Sequence, residues 1–266
     1  ERTSDKLKLS SSVTSFIPVN DNVEIMYVTI KNQGDVPQNL TTYGAIPIYG
    51  RSADNIRDHR NVTSMLHRIE TTKHGIHVCP TMSFDERGHQ PNHKIYYVNG
   101  CSGKGDAPVS YYPTVEDFIG EGGTYTHPRA VSEGYQGVPA YSYAAGKEAM
   151  GALRFSSFTL APDESADFIL LSGIADDKSE IEHVYEKYNT SDKVLHALKE
   201  TRNTIAESHP EEIKEFFSSA KEYRDSFNIS HRGPIRPVYQ LFCDLIDEAG
   251  GIATIATILA SNNISI

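Results

Sequence analysis

Tryptophan is absent from the 266 residues, cysteine occurs three times, and no apolar run approaches the length of a membrane span. Each shortage excludes something. Cys79, Cys101 and Cys243 are odd in number and far apart, which argues against a disulfide scaffold and suits a reducing compartment. The last stretch, "GGIATIATILASNNISI", is apolar but too short and too punctuated to span a bilayer. The N-terminal "ERTSDKLKLSSS" has no signal-peptide core. Positive charge is also scarce: 25 Lys and Arg against 35 Asp and Glu leave a formal net charge of −10. Nucleic-acid binders present a basic face, so that partner is not expected, nor is a membrane. A cytoplasmic location follows from these readings. With no Trp, the aromatic load falls on 15 Tyr, a residue equally at home in half-buried strands and in sugar stacking.

Motifs for bound groups are missing too. The Gly-rich run at 120–123 has neither the GxGxxG nor the GxxxxGK[ST] spacing, and there is no helical HExxH or paired CxxC. His74, His77, Cys79, His89 and His93 lie within twenty residues, and on a strand His77 and Cys79 share a face. Their spacing matches no zinc pattern, so neither a metal nor a cofactor is expected.

What the chain does have is strand periodicity. "NVEIMYVTIKNQ" (22–33) sets Val23, Ile25, Tyr27 and Thr29 against Glu24, Met26, Val28 and Ile30, a strand apolar enough to lie between layers. "GIHVCPTMSF" (75–84) and "HKIYYVNG" (93–100) read as further strands. "GALRFSSFTLAPDESADFILLSG" (151–173) reads as a hairpin, with Leu153, Phe155, Phe158 and Leu160 before the turn "APDES" and Phe168, Leu170 and Ser172 after it. Many strands with Gly/Pro-containing connections point to an antiparallel β-sandwich. The period then becomes helical. "SEIEHVYEKY" (179–188) stripes Ile181, Val184, Tyr185 and Tyr188. "SDKVLHALKETRNTIAES" (191–208) starts at Ser191 as N-cap and aligns Leu195, Leu198 and Ile205. "HPEEIKEFFSSAKEYRDSF" (209–227) has Pro210 in its first turn. A strand "VYQLFCDLI" and a helix "GIATIATILASN" follow, the start of a βαβ unit.

Two polar stretches are candidates for recognition. In "GRSADNIRDHR" (50–60), Arg51, Arg57, Arg60 and His59 can bind an anion or sugar hydroxyls, or can pair with Asp54 and one another to fix a long loop. Surface pairs contribute little singly, so this density suggests partial burial or an interface. In "PTVEDFIGEGGTYTHP" (113–128), Glu116, Asp117 and Glu121 lie beside Gly120, Gly122 and Gly123. Paired carboxylates can serve glycoside chemistry. A structural loop is the other reading, with Asp117 capping a turn and the glycines taking positive φ.

Over "AIPIYGRSADNIRDHRNVTSMLHRI", "PTMSFDERGHQ" and "YPTVEDFIGEGGTYTHPRAV", spanning about residues 13–205, the chain resembles family 94 of the glycoside hydrolases. The likeness is to the N-terminal sandwich domain, with the β-1,2-oligoglucan phosphorylase branch the most similar. The resemblance implies an inverting reaction in which inorganic phosphate attacks the anomeric carbon and releases a sugar phosphate. Its general acid is an aspartate on a later (α/α)6 barrel. No such barrel is read in this sequence, so no catalytic residue is carried over. In that family the sandwich serves dimer contact and borders the active site. This implies a ligand or interface role for Arg51, Asp54, Arg57, His59, Arg60 and Glu121. The family's sandwich also begins upstream of Glu1, so its first strands are expected to be missing.

The tail differs. "GPIRPVYQLFCDLIDEAGGIATIATILASNNISI", with "EEIKEFFSSAKEYRDSF" before it, resembles the ACT domain at the C-terminus of prephenate dehydrogenases, a βαββαβ unit. Asp247, Glu248, Ala249 and Gly250 match its first strand–helix turn, where amino-acid effectors bind to backbone N–H groups at a helix N-terminus. Ala249 stands where that family often has Pro.

The expectation is therefore a mainly β chain. An antiparallel sandwich over 1–175 precedes amphipathic helices over 176–230 and a partial ACT-like, ferredoxin-like unit over 235–266. The function expected is that of a non-catalytic, carbohydrate-associated domain. Its parent enzyme would act on β-gluco-oligosaccharide and phosphate and would pair as a homodimer. The alternatives are an amino-acid-sensing module and a purely structural dimerisation domain.

Overall fold

The computed structural model describes residues 1–50, 62–85 and 88–208. All of them fall within one compact unit, Glu1–Pro210. The expected helix at 209–227 and the ACT-like tail lie outside the described residues.

The unit is mainly β, as the alternation predicts. Its largest sheet is antiparallel and eight-stranded, in the order β1 (Arg2–Ser4), β2 (Leu9–Phe16), β3 (Val23–Asn32), β15 (Ser165–Ala175), β10 (Ile95–Ser102), β7 (Gly75–Val78), β6 (Arg68–Thr71), β12 (Tyr143–Ala145). A second sheet is built from β11 (Ser110–Thr114), β13 (Ala149–Arg154) and β5 (Tyr43–Pro47). Two ribbons complete the set: β4 (Gln38–Leu40) with β14 (Phe158–Leu160), and β8 (Met82–Asp85) with β9 (Gly88–Pro91).

The large sheet is covered on both faces, which explains apolar runs such as Phe168–Leu171 in β15. Successive side chains on a strand point to opposite faces. Phe168 and Leu170 join Val98, Ile76 and Val78 against Leu153 and Ala149 of the small sheet. Ile169 and Leu171 join Val23, Ile25, Ile95 and Tyr97 on the other face. There the helix Lys178–Tyr188 buries the predicted stripe of Ile181, Val184, Tyr185 and Tyr188. Asp177 caps it by accepting from the Ser179 and Glu180 amides at 2.8 and 3.0 Å. Helix, large sheet and small sheet make three layers around these two cores, and a third cluster gathers Tyr112, Val115, Phe118 and Met150.

Three local expectations need correction. Residues 151–173 contain strands but no hairpin: β13 pairs with β11 and β5, β14 with β4, and β15 with β3 and β10. Local alternation sets strand character, whereas partners are chosen by burial far along the chain. The strand expected over 75–84 is two. Pro80 has no N–H to continue the ladder, and β7 ends at Val78 before β8 begins at Met82. On the helix Ser191–Ser208, Leu195 and Ile205 are about half exposed, while Val194 and Thr201 are buried and Ala197 packs beside them. The Ser191 hydroxyl donates to Asp167 at 3.2 Å.

Candidate functional site

A buried histidine links Gly50, the described residue that precedes the 51–61 stretch, to Lys147. His67 is 1% exposed and contacts Gly50 and Lys147. Its Nε2 accepts from the Gly50 amide at 3.3 Å, and its Nδ1 lies 3.3 Å from the Lys147 carbonyl. A backbone N–H only donates and a carbonyl only accepts. The ring is therefore the neutral Nδ1–H tautomer, and burial, the main cause, holds its pKa below the ordinary value. Gly50 is required at this point because a Cβ there would meet Pro80 Cγ at 2.4 Å. The entry to the polar segment is thus fixed.

From Lys147 the connection continues outward. Its ammonium pairs with Glu116 at 2.9 Å, which holds the Glu116 carboxyl below the usual carboxylate range. Glu116 belongs to the short helix Val115–Ile119, and that helix is held by a reciprocal cap. The Thr114 hydroxyl accepts from the Asp117 amide at 3.0 Å, and the Asp117 carboxylate accepts from the Thr114 amide at 3.2 Å. Phe118 and Val115 anchor the helix beside Tyr112 and Met150. Gly120 and Gly122 take φ of 73° and 74°, as the loop reading predicts, whereas Gly123 does not take a positive φ and is required instead by close approach, since a Cβ there would meet the Ile119 carbonyl at 1.6 Å. Glu121 is exposed, and its carbonyl accepts from Arg129 at 3.2 Å. A cleft of about 310 Å3 opens here between Thr114–Gly120 and Lys147–Glu148.

The structure therefore places Glu116 and Asp117 on the helix Val115–Ile119 and Glu121 in the turn after it, with Glu116 linked to Gly50 through Lys147 and His67. Arg51, Asp54, Arg57, His59 and Arg60 themselves lie outside the described residues, as do Asp247, Glu248, Ala249 and Gly250. Sequence reasoning missed His67. The signal was a single histidine inside the apolar "MLHRI", and nothing in its spacing points to Gly50 or Lys147.

The histidine-rich stretch resolves into a second polar cluster under the helix Lys178–Tyr188. Cys79, just past the end of β7, packs against the cluster that holds the helix residues Ile181, Val184 and Tyr185, and His77 Nε2 lies 3.2 Å from Asn99 Oδ1. Glu70 stands 3.9 Å from His77 Nδ1 and 2.6 Å from Lys178. His74 stacks on Tyr185 with ring centroids 3.8 Å apart. Among the described residues no group of His, Cys, Asp and Glu is placed to hold a metal ion. No described helix is long and apolar enough to cross a membrane.

Comparison with known proteins adds three kinds of likeness. The family model described as glycosyl hydrolase 94, supersandwich domain, matches residues 2–191. Prephenate dehydrogenase of Bacillus subtilis (strain 168) is 32% identical over 75 residues, which is 28% of this chain and 20% of the dehydrogenase. A polysaccharide lyase aligns at 12% identity and a TM-score of 0.38, over 66% of this chain and 21% of its own. A bacterial glucoamylase complexed with acarbose aligns at 13% identity and a TM-score of 0.40, over 76% of this chain and 26% of its own. The chain thus spans 20% to 26% of the length of these relatives.

Proposed function

Because the chain belongs to the glycosyl hydrolase 94 family through its supersandwich domain, we propose that it is the non-catalytic, carbohydrate-associated sandwich of an enzyme that cleaves β-linked gluco-oligosaccharides with inorganic phosphate. The observation that carries the non-catalytic part is the employment of the loop acids. A general acid needs a carboxyl pKa raised toward the working pH. Glu116 is instead lowered by Lys147, and Asp117 is committed to the cap of its own helix. Both carboxylates serve architecture. The loop and the stem of the polar segment, joined through His67, then form a shaped border for a reaction centre elsewhere.

Incubating the chain with phosphate and β-1,2-, β-1,4- or β-1,3-gluco-oligosaccharides is expected to release no glucose 1-phosphate. Its release would overturn the non-catalytic assignment. Calorimetric titration with the same panel is expected to register binding, and silence across it removes the carbohydrate association. A cytoplasmic homodimer completes the proposal. Tyr141 and Tyr143, 81% and 67% exposed at the edge strand β12, offer aromatic surface for the contact. Sedimentation as a monomer at micromolar concentration removes that part.

The 75-residue likeness to prephenate dehydrogenase favours a second reading, an amino-acid-sensing tail. A ligand that binds only the native state raises the apparent Tm. A Tm that rises with added tyrosine supports this reading, and an unchanged one excludes tyrosine as the effector.

A further inference from the structure

A cleft of about 550 Å3 lies between the turn Ser102–Ala107, the segment Phe155–Leu160 and the start of β15. We infer that this cleft is a binding site for a neutral, hydroxyl-rich ligand, a β-linked glucose disaccharide or chain end. The inference rests on the carbohydrate-associated reading above and gives it a location.

Three properties support it. First, the walls are preformed. The Gly103 amide donates to the Asp167 carbonyl at 2.6 Å and the Gly103 carbonyl accepts from the Ser191 amide at 2.9 Å. A Cβ at Gly103 would meet Ser191 Oγ at 2.3 Å, so this junction admits only glycine without movement. The Asp106 carboxylate accepts from the Ser102 hydroxyl at 2.8 Å and closes the turn. Opposite, the Thr159 hydroxyl donates to Asn39 at 2.6 Å, and the Ser157 and Thr41 hydroxyls are 2.7 Å apart. A preformed site spares the ligand the cost of ordering it.

Second, the chemistry is mixed. Phe158 is partly exposed and rests on the buried Phe155 and Phe168, with Phe168 at centroid distances of 5.0 Å from Phe155 and 5.5 Å from Phe158, so Phe158 supplies the apolar surface for the C–H face of a sugar ring. Around them, the Lys104 ammonium and the Ser156 and Ser165 hydroxyls are exposed and make no bond within the described residues. Free donors beside carboxylate acceptors on an aromatic floor are what vicinal hydroxyls require.

Third, the charge excludes an anion. Asp106, Glu164 and Asp167 outnumber Lys104. The start of the helix Ser191–Ser208, where an anion would otherwise sit, is taken by Asp167, which accepts from the Ser191 hydroxyl. A phosphate meets repulsion here, whereas a neutral sugar does not.

The test is amide NMR of the full chain titrated with sophorose, cellobiose and laminaribiose, and separately with inorganic phosphate. Binding on the order of millimolar is expected, with shifts centred on Gly103, Lys104, Ser156 and Ser165 and none from phosphate. Ser156→Trp, which fills the cleft, and Lys104→Ala should each weaken binding by roughly tenfold. Both replace side chains without partners, so a dispersed spectrum is expected to persist. Sugar-induced shifts elsewhere, unaffected by both variants, overturn this site and leave the carbohydrate association standing. Shifts caused by phosphate and not by sugar overturn the assignment of ligand class. No shifts with any sugar overturn the site and the association together.

Discussion

Acidification should destabilise the sandwich through His77 well before its carboxylates titrate. The ring is 2% exposed. Burial is the largest influence on its pKa and brings it from an ordinary 6.5 to about 4. The Asn99 hydrogen bond and the Glu70 charge oppose that shift, while Lys178 and His74 reinforce it. A histidine whose folded pKa lies below its unfolded value leaves the unfolded chain binding more protons between the two. Its stability contribution is therefore whole above about 6.5 and is lost as pH falls toward about 4. At about 1.36 kcal/mol per pKa unit, the loss between pH 7 and pH 4.5 is about 2.5 kcal/mol. His67 and His74 are lowered by burial as well and add with the same sign. Urea denaturation at the two pH values measures the drop, and His77→Gln, which does not titrate in this range, should remove about 2.5 kcal/mol of the difference. Two results would refute the reasoning: a His77 ring signal titrating near pH 6 in the folded protein, or a His77→Gln variant that keeps the full pH dependence.

Gly75→Ala places a Cβ 2.1 Å from the Val98 carbonyl. Overpacking against backbone should cost about 1–3 kcal/mol in chemical denaturation. Val194→Ala should cost about 1.5 kcal/mol, the loss of two buried methyl-sized groups. Leu195→Ala should stay within about 0.5 kcal/mol, because Val194 is buried and Leu195 is 46% exposed; the reverse order would refute the helix face described here. Thr114→Ala should lose about 1 kcal/mol of stability, since it removes the hydroxyl that accepts from the Asp117 amide and leaves only the half of the cap made by the Thr114 amide. Cys101, buried and with its thiol pushed up to about 12, should resist a disulfide reagent at pH 8 until the protein unfolds; native-state labelling at the rate of a free thiol would contradict that burial.

Much of the layering was legible in the sequence because burial on both faces of a strand leaves a signature. Val23, Ile25 and Tyr27 alternating with Met26, Val28 and Ile30 already specify two cores, and the structure divides them in that way. Strand pairing was not legible. Leu153 and Phe168 look like arms of one hairpin, yet β15 pairs with β3, more than a hundred residues upstream, and β13 with β5. Nothing in the local alternation carries that information. The helix Ser191–Ser208 shows the same limit on a smaller scale. Two apolar stripes share it, and which one turns inward depends on Tyr188 and the sheet below. At the candidate site, the Asp117 cap and the glycine conformations could be read from residue type. The role of His67 could not, since its partners Gly50 and Lys147 are set by the fold.

His67 also suggests why the polar segment and the acidic loop are linked through a neutral ring. A charged side chain between Gly50 and the Lys147 carbonyl would be desolvated, a cost that the nearby Glu148 charge does not offset for His67. An apolar one would leave the amide and the carbonyl without partners, at about 1–3 kcal/mol for a buried group. Neutral imidazole satisfies both at once, with an acceptor on one nitrogen and a donor on the other. The arrangement holds only while the ring stays unprotonated, because a proton on Nε2 would face the Gly50 N–H. Acid therefore loosens the Gly50 and Lys147 contacts of the ring together.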